Sequence, residues 1–374
     1  MIRGEVIKEM YSIQKADVDY RSLGALNSSM VKLFDSDPVK FYDQFKLGKK
    51  RKERATISTT IGDIVDFYLL DCKGDEREFD NRWDEKFVLF TGAKSGQVFS
   101  LADELFDITK DCVDEKGEVN VSFDTRFKEA FQKMQNMGYY KGKTEAKALK
   151  DFDDNARDYF QALMDNIGKT VVEMSLVEKA KRIAKDILTD DFTREVFETE
   201  EYMEFFAKMP IEWTYVYNNG KEIECKSEPD ILKVDHTNRV IYILDVKTTF
   251  DNENFEFSYI KNGYYLQAAF YYLAVKQWAK QEGMENYTVV PTQFLVGDTS
   301  VNNRRPIIYK MTDEDLQASM EGFILKGVEY NGLKKIIEAI SWAETNDLWN
   351  CSKEVFESKG ILPLKLKYDK LKTL

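Results

Sequence analysis

Residues 211–250 read IEWTYVYNNGKEIECKSEPDILKVDHTNRVIYILDVKTTF. Apolar and polar residues alternate along this stretch with the period of two that marks β-strands. Asn219-Gly220 is a strong short hairpin signal, and the polar run from Asp235 to Arg239 is a second turn. The pattern predicts strands over 211–218, 221–227, 230–235 and 239–248. The last of these is almost wholly apolar until it ends on Asp245 and Lys247, which alternation places on one face. Asp230 precedes Asp245 by one strand, a turn and the return, so the hairpin brings the two carboxylates together. Charges at the rim of a buried strand need a partner or a metal. Two carboxylates and a lysine suit Mg²⁺ or Mn²⁺, hard cations that take oxygen ligands. Such an ion acidifies a bound water and neutralises a phosphodiester, while Lys247 orients the water and offsets phosphate charge.

Downstream, an amphipathic helix is predicted over roughly 255–281. Gln267 and Tyr271 are four apart on it and share a face; the amide can bond a phosphate or ligand, and the ring adds a stacking or hydroxyl contact. TVVPTQFLVGD and RRPIIYKMT read as two more strands, and a capped helix opens at Thr312. Upstream, residues 20–47 read as a helix capped by Ser28 or Ser29, with Pro38 in a first turn after Asp37. Residues 56–71 read as a second capped helix, and roughly 100–200 as a charged helical region. Between the first two helices runs KLGKKRKER, in which Lys46, Lys49, Lys50, Arg51, Lys52 and Arg54 face one acid, Glu53. This reversal of sign is either a solvated loop or a phosphate-contacting edge.

Composition bounds the chemistry. The chain has 374 residues, 43% hydrophobic and 32% charged, which describes a globular protein with a sizeable core. At this length about two to three domains, or one core with large insertions, are expected. A net charge of −12 argues against coating nucleic acid with the whole surface, but leaves room for one basic groove around central carboxylates. The single histidine, His236, falls in the turn between strands. That excludes His-rich zinc sites and HExxH proteases, and it disposes of a Ser-His-Asp triad. Cys72, Cys112, Cys225 and Cys351 are scattered and read as free thiols, with no disulfide framework. MIRGEVIKEMYSIQKADVDYRS lacks the apolar core of a signal peptide, and no run is long enough to span a membrane. A cytoplasmic location is expected.

Asp230, then Asp245-x-Lys247, then Gln267-x-x-x-Tyr271 resembles the PD-(D/E)XK nuclease superfamily. The spacing and the trailing QxxxY resemble its RecB-like branch, which includes relatives of the bacteriophage lambda exonuclease and the exonuclease VIII (RecE) nuclease domain. SEPDIL is similar to the family's PD strand and LDVKTTF to its (D/E)xK strand. LNSSMVKLFDSDPVKFYD followed by IGDIVDFYLL also resembles phage members. Their Gly-x-x-x-His motif, whose histidine binds a second metal, here runs from Gly62 to Asp66, so Asp66 stands at the histidine position. Some RecB-like nucleases hold an iron–sulfur cluster on one early and three late cysteines. Only Cys351 lies late here, so no iron–sulfur cluster is expected.

The resemblance covers roughly residues 20–70 and 210–275. It implies an α/β fold: a restriction-endonuclease-like core, a central mixed β-sheet flanked by helices, with an N-terminal helical lobe. The expected division is a mainly helical lobe over 1–205 contributing Asp66 and the basic segment, a nuclease core over 206–345 and a tail over 346–374. The implied activity is Mg²⁺-dependent DNA hydrolysis, as an exonuclease of phage recombination or DNA processing. The metal ligands would be Asp66, Asp230, Asp245 and the Val246 carbonyl, and the catalytic residues Asp230, Asp245 and Lys247. Gln267, Tyr271, Thr248, Lys50 and Arg51 would contact substrate, and Glu212 is a further acid to place. The partners implied are DNA, a single-strand annealing or other recombination protein, and a second copy of the chain in a homo-oligomer. The alternatives left open are an endonuclease of the same fold acting on DNA or RNA, and an inactive DNA-binding accessory protein.

Overall fold

The computed structural model describes residues 24–49, 56–92, 94–113, 119–217 and 220–364. In chain order its strands are β1 (Phe87–Phe90), β2 (Thr170–Glu173), β3 (Met203–Ala207), β4 (Ile211–Val216), β5 (Glu222–Ser227) and β6 (Ile231–Asp235). They continue with β7 (Val240–Thr249), β8 (Thr288–Val289), β9 (Gln293–Asp298), β10 (Ile307–Lys310), β11 (Gly322–Leu325) and β12 (Val328–Asn331). The central sheet is mixed, in the order β10-β9-β7-β6-β3, with β8 lying beside the start of β7. β6 and β7 pair antiparallel with Ile231 opposite Leu244, whereas β7 and β9 run parallel. A parallel pair needs a crossover, and the chain between them supplies a helix.

Alternation along the strands divides the core into two layers. Leu232, Val234, Ile241, Ile243, Phe294 and Val296 form one face. It is covered by α1 (Ser28–Ser36), α4 (Tyr264–Gln281) and α5 (Leu333–Asn346). Ile231, Leu244, Val246 and Leu295 form the other, against α2 (Ile57–Asp66) and α3 (Met174–Thr189). The result is an α/β fold with helices on both faces of a mixed sheet. The contact with α3 is close: a Cβ on Gly297 of β9 would meet Ile183 at 2.6 Å. The 205/206 division expected above falls inside β3, and α2 and α3 reach the sheet from upstream of it. Between β1 and β2, the helices Gln97–Asp111, Phe123–Asn136, Glu145–Asn155 and Arg157–Asp165 enclose a separate core around Phe127, Phe152 and Tyr159.

Several local expectations are corrected. The first helix is capped by Asn27, whose side chain accepts from Met30 N at 3.0 Å, rather than by Ser28 or Ser29. The helix read over 255–281 is two, Phe255–Lys261 and α4, because Gly263 takes a left-handed conformation at φ 62°. β4 and β5 do form a hairpin, with Asn219 at its turn outside the described residues, but it stays apart from the central sheet and bonds outside itself to Leu26, bridged to Cys225. Their apolar side lies over α4, where the Trp213 and Phe270 rings are 4.8 Å apart. The place beside β6 belongs to β3, a five-residue strand with no clear alternation to announce it. Asp37 caps Pro38–Phe41, and Thr312 opens Asp313–Glu321 with a capping box to Asp315. Among the described residues no helix is long and apolar enough to cross a membrane.

Candidate active site

The β6–β7 hairpin builds the centre. Its register places Asp230, just before β6, across from Asp245. Asp230 Oδ2 accepts a hydrogen bond from Val246 N at 2.7 Å, which ties the two strands at the point where the acids meet. Asp245 is completely buried on the α4 side of the sheet. Its Oδ1 accepts from Gln267 Nε2 at 3.0 Å, and the same amide donates to the Tyr271 hydroxyl at 3.0 Å. Its Oδ2 is ion-paired with Lys247 Nζ but accepts no aligned hydrogen bond. Lys247 Nζ also donates to the Val246 carbonyl at 3.1 Å and lies 5.1 Å from the centre of the Tyr264 ring.

Asp66 arrives from the other face. It is the last residue of α2 before a π-helical turn over Phe67–Asp71, a local irregularity frequent at functional sites. One turn earlier, Gly62 faces Thr248: a Cβ there would lie 3.6 Å from Thr248 Oγ1, an ordinary contact. Asp66 is half-buried, and Lys247, Lys208 and Asp245 are close enough to act on its charge.

Electrostatics follow from three acids in a small volume. Burial raises Asp66 to about 6, against the pull of Lys247 and Lys208. Burial first, then the neighbouring Asp245 charge, push Asp230 well above the carboxylate range. Burial opposes the charge on Lys247, yet Asp245 and Asp230 hold it above the ordinary lysine value. Burial therefore disfavours the charged form of Asp66 and Asp230, and a bound cation would favour it. Asp230, Asp245 and the Val246 carbonyl are oxygen donors of the kind Mg²⁺ or Mn²⁺ takes, Asp245 Oδ2 accepts no aligned hydrogen bond, and Asp66 is near enough to feel the Asp245 charge. Among the described residues no three His, Cys, Asp or Glu side chains already form a metal cage. Mg²⁺ does not require one, since it takes one or two carboxylates and keeps several waters.

Gln267 and Tyr271 join the centre as buried residues that act on Asp245. Thr248 lies on the α2 side, half-buried. Glu212 is exposed on β4 opposite Lys226, in the hairpin that stands off the central sheet. Lys50 and Arg51 lie outside the described residues. Of the same basic run, Lys46 pairs with Glu344 and Lys49 with Asp43. His236 is exposed on its turn, with Nδ1 3.0 Å from the Tyr287 hydroxyl.

Two lysines escaped the sequence reading. Lys32 of α1 donates to Gln267 Oε1 at 3.1 Å and is pushed down to about 8 by burial, then by Lys247. Its one signal is its place in an otherwise apolar turn, between Val31 and Leu33. Lys208 follows β3; its N–H donates to the Asp230 carbonyl at 2.9 Å, and its ammonium pairs with Asp71. Comparison with protein-family models gives no match, and no curated protein matches the sequence.

Proposed function

We propose that this chain is a metal-dependent deoxyribonuclease of PD-(D/E)XK type with a restriction-endonuclease-like core, acting on DNA ends as an exonuclease. The observation that carries the reading is the meeting of Asp230, Asp245 and Lys247 at one end of the β6–β7 hairpin, with Val246 N bonded to Asp230. A structural ion pair would need one acid for one lysine. Here further carboxylates crowd the same lysine, at a cost in desolvation that function explains better than stability does.

A bound Mg²⁺ would supply Lewis acidity and a water of lowered pKa. The protein's own groups do the rest. Gln267, braced by Lys32 and Tyr271, holds Asp245 in one orientation. Lys247 stays protonated and gives the site a fixed positive charge that can bond a phosphate oxygen or align the attacking water. In the reaction a water oxygen bonds to phosphorus and gives up one proton, the opposite P–O bond breaks, and the leaving oxygen takes up one proton.

The test incubates the purified chain with end-labelled linear and closed circular DNA in Mg²⁺, Mn²⁺ or EDTA. Linear DNA alone should be degraded, with a loss of about 100-fold or more in Lys247→Ala and Asp245→Ala. Undiminished hydrolysis in EDTA, or in both variants, sinks the mechanism. Cutting of circular DNA would turn the assignment to an endonuclease.

A further inference from the structure

Away from the acidic centre, the central sheet carries a concavity on its α3 side, a cleft of about 610 Å³. None of Asp66, Asp230, Asp245 or Lys247 lines it. That volume is within the range that holds small ligands. Its floor includes Tyr242 and Leu244 of β7, Gln293 of β9 and Ile308 of β10. Phe192, Glu195 and Val196, in the turn after α3, form its roof.

The roof is fixed by the protein itself. Asp190 accepts from Phe192 N at 2.9 Å and from both Nε and Nη2 of Arg305, at 2.7 and 2.8 Å. Thr193 Oγ1 donates to Ile187 O at 2.7 Å, and Lys233 Nζ bonds the carbonyls of Glu195 and Glu198. The guanidinium of Arg305 lies 3.7 Å from the centre of the Phe192 ring. The cleft is preformed, which lowers the ordering cost of binding.

Lys233 and Asp235 on its wall are bonded within the protein, but three other polar groups are uncommitted. Gln293 is 7% exposed, and its carboxamide makes no hydrogen bond with a described residue, although it can donate and accept at once. The Tyr242 hydroxyl is likewise unbonded among the described residues, and Lys310 at the rim has no ion-pair partner among them. A carboxamide below, aromatic rings at Tyr242 and Phe192, and a free ammonium at the mouth match a flat heterocycle with a donor–acceptor edge and an anionic group. We propose that this cleft binds a nucleoside monophosphate, with the base edge on Gln293 and the phosphate towards Lys310. The proposal does not depend on the hydrolytic reading, because it uses none of the residues of the acidic centre.

The test is isothermal titration of the full chain in EDTA with adenosine 5′-monophosphate, using ribose 5-phosphate as the comparator without a base. Saturable binding is expected, weakened about tenfold in Gln293→Leu and in Lys310→Glu and unchanged in Asp245→Asn. Lys310 is exposed, so its substitution reports on binding even if Gln293→Leu does not fold. The proposal fails if adenosine 5′-monophosphate shows no saturable binding, or if ribose 5-phosphate binds as tightly. It fails equally if Lys310→Glu binds normally, or if Asp245→Asn abolishes binding.

Discussion

Asp66 shows what burial does to a single carboxylate in the centre. Its carboxyl is raised to about 6 from an ordinary 3.8, by burial ahead of any neighbour. A folded value above the unfolded one means that protonation favours the fold. The stabilising contribution is complete below about pH 4 and is lost as the pH rises through 6. In EDTA, Asp66→Asn should therefore be more stable than wild type at pH 7.5, by about 1–2 kcal/mol after allowing for the partial exposure of the site. The two should converge near pH 4. Urea denaturation at both pH values measures this, and equal stability at pH 7.5 would refute it. Asp230 is shifted in the same direction, so a residual slope should persist in the variant. Added Mg²⁺ should raise the wild-type midpoint more than that of Asp66→Asn, because a cation stabilises the buried carboxylate that the variant lacks.

At the level of elements, the break before α4 is tied to the site. Gly263 has a left-handed backbone, and a Cβ on it would come 3.2 Å from Lys32 Cδ and 3.3 Å from Cγ. That lysine holds Gln267, and Gln267 holds Asp245. Gly263→Ala should cost about 1–2 kcal/mol from the left-handed conformation alone. It should also displace Lys32 and lower kcat beyond what lost folding explains. Activity measured at a temperature where the variant is fully folded separates the two effects; wild-type kcat there would show that the Lys32–Gln267 link is dispensable. The helix was legible in the apolar pattern of 255–281, and so was the QxxxY face. The break was not, since a lone glycine inside a helical pattern is tolerated as often as it interrupts.

For the whole molecule, a net charge of −12 must coexist with a polyanionic substrate if the proposed activity is right. Lys46 and Lys49, the described part of the basic run, are already neutralised by Glu344 and Asp43. Affinity for DNA then falls to the remaining cations of that run. Lys50→Glu with Arg51→Glu should raise KM about tenfold, leave kcat nearly unchanged and reduce the salt slope of binding by about two. Filter binding over a salt series, together with steady-state kinetics, tests this. An unchanged slope would return the segment to a solvated loop.

The sequence by itself determined the β6–β7 hairpin, the meeting of Asp230 with Asp245 and Lys247, and the face shared by Gln267 and Tyr271. All of these depend on local periodicity: two residues per repeat along a strand and 3.6 along a helix. The strands of 211–227 were legible for the same reason, but not their departure from the central sheet. That was decided by competition, in which β3 occupies the edge of β6 while Trp213 packs on α4. Only the tertiary structure could supply Lys32, whose partner Gln267 is 235 residues away. Only it could form the cleft behind β7, whose roof and floor come from distant segments. Periodicity says which way a side chain points; what it meets there depends on long-range packing that no local pattern encodes.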